Sequence, residues 1–185
     1  MMSKQTTRQA GFTLVEITLA MAIFTFMLLV VSLAYINIAR LYNAGTAARN
    51  VQQNNRFALE QMTRVARTSK SVTMLDTDSH GSLTGICFGS SSLFFVQNGE
   101  LRQATVTDCR AVPTQSQLLS AKGVSVARLE ADESSDGTVT IRLWMASRVD
   151  LLDTTDPNRL QCRGGAGTEF CAINKLVTTV ELRGN

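Results

Sequence analysis

Three groups of residues in this chain have types and spacings that could do chemistry. The first is Gly11-Phe12-Thr13-Leu14-Val15-Glu16, placed directly before residues 17–36, a run of twenty without a formal charge. A carboxylate held inside hydrocarbon costs about 2.5 to 3.5 kcal/mol, so Glu16 is expected to be paired or functional, the plainer alternative being hydration at headgroup level. The second group is Cys87, Cys109, Cys162 and Cys171, even in number and all beyond the apolar run, which suits disulfides in an oxidising compartment. No Cys-x-x-Cys occurs and the single histidine, His80, is remote in sequence from every cysteine, so zinc is not expected. The third group is charged: Arg49, Arg56, Arg64 and Arg67 could meet nucleic-acid phosphates or acidic neighbours, and Asp150, Asp153 and Asp156 recur every third residue and could meet calcium. A solvated helix face and a set of turn formers are the commoner roles for such residues.

No catalytic constellation stands beside these groups. Serines surround His80, but there is no Gly-x-Ser-x-Gly and no second histidine, so a hydrolase reading has no anchor. No cofactor or metal is called for. Eighteen basic side chains face 15 acidic ones, and two of the basic ones, Lys4 and Arg8, precede Gly11; the remainder is close to neutral, against recognition of nucleic acid by bulk charge.

The elements that must position these residues begin with residues 17–36. Wound as a helix, they cover about 30 Å, the thickness of a bilayer's hydrocarbon core. A secretory signal places its small-residue cleavage site after the apolar region and loses the helix on cutting; a cut at Gly11 keeps it. Lys4 and Arg8 favour a cytoplasmic N-terminus with the remainder outside. Beyond the span, 100° steps place Val51, Ala58, Met62 and Val65 on one side and Arg49, Arg56, Glu60, Arg64 and Arg67 on the other, so a helix with one face to bury is expected to continue to about residue 70. Gly45 is its expected weak point.

The junction of Gly11, an aromatic Phe12, Glu16 four residues on and a full apolar span resembles the N-terminus of type IV prepilins and of the related type II secretion pseudopilins. The resemblance covers residues 8–40. It implies that a prepilin peptidase cuts after Gly11, that the new amine at Phe12 is methylated, and that Glu16 pairs with the terminal amine of an adjacent subunit. It further implies an inner-membrane, single-pass protein with its head outside, whose partners are other pilins through the N-terminal helix and the inner-membrane assembly platform. The span lacks the proline that breaks this helix in many major pilins, since the chain's two prolines are Pro113 and Pro157.

After residue 70 the period changes from helical to alternating. Asn98-Gly99 between residues 92–97 and 100–106 predicts a two-residue hairpin. A second pair, 124–131 and 138–145, would place Val139, Ile141, Leu143 and Met145 toward the core and Trp144 away from it, covered by a loop or left for a neighbouring subunit. Residues 147–174 read as a long surface loop, stapled by Cys162 and Cys171, before a last strand at 175–183 with Leu176, Val180 and Leu182 on one face. Four cysteines allow three connectivities, which the sequence leaves open; proximity alone gives Cys87 with Cys109 and Cys162 with Cys171.

The expected architecture is α+β and pilin-like, a long N-terminal helix packed on antiparallel sheet. Its parts are a leader at 1–11, a transmembrane and polymerisation helix at 12–36, an amphipathic continuation at 37–70 and a head at 71–185. Residues 56–70 and 177–183 are similar to minor pilins and J-type pseudopilins. Two classes of function follow: a minor subunit of a type IV pilus or secretion pseudopilus, or a membrane-anchored adhesin or DNA-binding module that never polymerises. Loss of residues 1–11 marks the first and their retention the second.

Overall fold

A computed structural model describes residues 12–75, 84–89, 91–109, 113–153, 160–163 and 167–183. The chain divides into two compact units, residues 1–41 and 42–185. Helix α1, Leu14–Ala66, supplies all but Phe12 and Thr13 of the described part of the first and the first element of the second.

In the first unit α1 exposes Leu14, Val15, Ile17 and nearly every large apolar side chain that follows to Leu41. Leaving such a surface in water would cost on the order of tens of kcal/mol at about 1.5 to 3 kcal/mol per side chain, so lipid or other helices must cover it. It is the one described helix long and apolar enough to cross a membrane.

In the second unit α1 stays helical through Gly45, the expected weak point. One glycine costs about 1 kcal/mol relative to alanine, less than the packing of Val51, Ala58, Leu59, Met62 and Ala66 returns. The expected apolar side is therefore the buried one, with Val65 half-buried at its margin. The last turn closes tightly: Thr68 and Ser69 donate their hydroxyls to the carbonyl of Val65.

Among the described residues ten strands follow: β1 Val72–Leu75, β2 Thr84–Phe88, β3 Ser92–Gln97, β4 Glu100–Thr105, β5 Gln117–Leu118, β6 Ser125–Glu133, β7 Thr138–Ala146, β8 Leu152–Asp153, β9 Gln161–Cys162 and β10 Ile173–Glu181. Strands β1 to β5 form an antiparallel meander in chain order, β10-β7-β6 a second antiparallel sheet, and β8 and β9 a short pair. The β3-β4 turn is the predicted one, with Asn98 at φ 54° and Gly99 at φ 77°. The Gly99 carbonyl accepts from the Val126 amide at 2.7 Å, joining the two larger sheets.

Val139, Ile141, Leu143 and Met145 of β7 are fully buried, as their alternation predicts, and pack with Val51, Met62, Ile86, Phe88, Phe94 and Leu101 in one core. Phe88 and Phe94 meet edge to face at 5.6 Å. The meander buries its other face too, in a smaller cluster of Leu75, Cys87, Leu93, Phe95 and Ala104. Burial on both faces removes the alternation that would have marked β2 in the sequence.

Two expectations are corrected. Residues 147–174 are not one irregular loop: they hold single 3-10 turns at Val149–Leu151 and Thr168–Phe170 and the β8-β9 pair, and β10 already starts at Ile173. Two-residue strands are too short to carry a period. Trp144 does face away from the core, but at 9% exposure it is covered rather than left for a neighbouring subunit. Its directly opposite neighbours on the flanking strands, Arg128 on β6 and Lys175 on β10, lie over its ring at 5.5 and 4.8 Å.

Candidate functional site

The first turns of α1 carry the candidate site. Thr13 precedes the first helical residue and Glu16 sits in the first turn. The Thr13 amide and hydroxyl both donate to Glu16 Oε2 at 3.1 Å, and the Glu16 amide donates to Thr13 Oγ1 at 3.3 Å. This is a reciprocal capping box, satisfying otherwise orphaned helix N–H groups. The negative carboxylate also lies at the positive end of the helix dipole. The reading of Glu16 as an acid in search of a partner missed Thr13, although Thr-x-x-Glu before an apolar run is the sequence signature of this motif.

Four-residue spacing places Phe12, Glu16, Ala20 and Phe24 along one side of the chain. With Ile17 and Met21 they line an open concavity of about 620 Å³ in which Glu16 is the lone ionisable group and the small Ala20 leaves room. Phe12 is 82% exposed. Gly11, the expected last leader residue, lies outside the described residues.

The remaining candidates are scattered. Cys87 is bonded to Cys109 and Cys162 to Cys171, each with Cα atoms 6.0 Å apart. The first bond belongs to the smaller apolar cluster and the second joins β9 to the last 3-10 turn, so both are structural by location. Arg49, Arg56, Arg64 and Arg67 are exposed, and Arg64 approaches Glu60 at 3.9 Å, a pair worth little in solvent. Asp150 is held by both nitrogens of the Arg148 fork, at 2.9 and 2.7 Å, which keeps its carboxyl below the ordinary range. Among the described residues no cluster could hold a metal ion; Asp156 and His80 lie outside them.

Residues 6–32 match the family model of the prokaryotic N-terminal methylation motif. The chain carries a type IV prepilin-like signal. The match coincides with the capped start of α1 and most of its exposed apolar length. No curated protein and no solved structure matches the chain. The methylation motif and the α+β architecture fit a type IV pilin-like or pseudopilin protein, and the motif with the apolar helix supports membrane anchoring; the motif implies processing by a prepilin peptidase and a structural role in assembly with other pilins.

Proposed function

We propose that this chain is a minor pilin-type subunit that takes part in initiating a type IV pilus or in forming its tip, after cleavage between Gly11 and Phe12. The observation that carries the reading is the methylation motif seated on an uncovered apolar helix with one carboxylate near its start. Such a helix leaves the bilayer only if neighbouring helices replace the lipid around it and meet Glu16; otherwise the apolar exposure and an unanswered charge both remain. After cleavage, the amine of Phe12 on an adjacent subunit supplies that answer. The head then stands in the periplasm or on the cell surface, in keeping with its paired cysteines. The minor role rests on the similarity of residues 56–70 and 177–183 to minor pilins; the buried Trp144 lends it nothing.

Intact mass of membrane-extracted protein is expected to show loss of residues 1–11 and one added methyl group. A deletion strain is expected to have few or no filaments, and Glu16→Ala to yield processed, membrane-held protein that fails to restore them. A mature start after Ala34, where Ser32-Leu33-Ala34 imitates a secretory site, would sink the pilin reading. Normal filament number in the deletion strain, or sheared filaments made principally of this chain, would sink the minor role. Loss of secretion with intact pili would move the subunit to a type II secretion pseudopilus.

A further inference from the structure

We propose that the outer edge of β10, together with the arginine side of α1 beside it, is a docking site for an extended acidic segment of another protein chain, which adds there as a fourth strand. The proposal concerns residues 42–185 alone and does not rest on cleavage or filament formation.

Of the two edges of the β10-β7-β6 sheet, the β6 side is joined to the meander through Val126 and Gly99, whereas no described strand pairs with the outer edge of β10. At about 3.3 Å per residue the nine residues of β10 present roughly 30 Å of edge. Exposed edges are normally blunted by shortness, proline, a bulge or an outward lysine. Here the strand is long, has no proline, and keeps an unshifted register with β7 from Ile173 to Glu181. Its single lysine, Lys175, is turned onto Trp144 instead. Residues 176–180 are all branched or β-branched, the composition that pairs best, and Val177 is 51% exposed.

The helix supplies the selectivity. It is tied to β10 by the Asn55 side chain to Asn174, and the segments just past the two elements are tied by the Arg183 amide to the Ser69 carbonyl. Between these ties lies an open groove of about 690 Å³, with Leu176 and Val177 on the strand side and Arg56, Glu60, Arg64 and Arg67 on the helix side. Three guanidinium groups against one carboxylate leave the groove positive. An extended segment that alternates acidic and apolar residues satisfies the N–H and C=O groups that no described strand pairs and the charge together, which is recognition by strand addition. A nucleic-acid backbone satisfies the charge alone.

The test uses full-length protein in neutral detergent micelles and a fluorescein-labelled octapeptide of alternating valine and glutamate, read by anisotropy and by amide hydrogen exchange. Expected are saturable binding, at least a tenfold loss with Arg64→Glu/Arg67→Glu, less than a twofold change with Arg49→Glu, and slowed exchange of alternate amides in 173–181. Arg64→Gln/Arg67→Gln serves if the charge reversal unfolds the head, with a smaller loss in the same direction. The proposal is overturned by no saturable binding, by equal binding of the valine-lysine octapeptide, by binding that leaves exchange in 173–181 unchanged, or by tighter binding of an eight-nucleotide oligothymidylate.

Discussion

The side-chain amide of Asn55, fully buried in α1, donates to both the main-chain and the side-chain oxygen of Asn174, each at 2.9 Å, and also to the Leu143 carbonyl at 3.2 Å. One helical side chain thereby grips two adjacent strands of the sheet. Its neighbour Asn54 accepts from the Ala121 amide at 2.9 Å, in the segment between β5 and β6.

Replacing Asn55 by alanine leaves a gap and strands the oxygens it serves. A loss of about 1 to 3 kcal/mol is expected, the usual cost of an unsatisfied buried polar group. Urea unfolding of the solubilised protein measures it, and Asn54→Ala, at an exposed margin, is expected to cost less.

Gly85 sits opposite Phe95 in the β2-β3 ladder, where an added Cβ would lie 2.6 Å from the Phe94 carbonyl oxygen and 3.0 Å from the Phe95 Cβ. The obstruction is backbone, so it cannot swing aside. Gly85→Ala is expected to destabilise the head by about 1 to 3 kcal/mol, as overpacking does, and a Gly45→Ala control, with nothing near its added Cβ, is expected to be neutral or stabilising.

We propose that both cystine bonds form in the exported protein, and non-reducing peptide mapping is expected to join Cys87 to Cys109 and Cys162 to Cys171. The first closes the longer span, 22 residues against 9. On loop entropy its removal should cost roughly 1 kcal/mol more than removal of the second. Burial of Cys87 in an apolar cluster adds to the difference, measurable by comparing Cys87→Ala/Cys109→Ala with Cys162→Ala/Cys171→Ala in thermal melts.

Acid should loosen the β6-β7 turn. The hydroxyl and the amide of Thr138 donate to Asp136 at 2.7 and 3.1 Å and hold its carboxyl below the ordinary value of 3.8. Asp150 is lowered by Arg148 in the same way. A lowered folded-state pKa contributes stability that is present above the unfolded value and disappears as pH falls through the folded one. The melting temperature should therefore drop below about pH 4, and drop less in Asp136→Asn/Asp150→Asn; an identical pH profile in that variant would contradict it.

How far these features could be read from the chain depends on how local their signals are. The Asn98-Gly99 turn, the alternating β7 residues and the apolar span each fit inside a dozen residues, and the helix face from Val51 to Met62 follows from spacing alone. Asn55 shares that spacing, lying four after Val51 and three before Ala58, yet a polar side chain is assigned outward unless its partner, 119 residues away, is known. The capping role of Thr13 was legible in Thr-x-x-Glu but was eclipsed by the carboxylate. Strands β5, β8 and β9 are two residues each, and nothing so short has a period.

Trp144 is the sole tryptophan, and its ring is roofed by one side chain from each flanking strand. The one indole fluorophore of the chain thus sits at the seam where β6, β7 and β10 meet. Its emission will shift to the red as soon as either outer strand peels away, even while α1 and the meander stay folded. Fraying of β10, or its reinforcement by an added strand, can accordingly be followed in the unlabelled protein by colour alone.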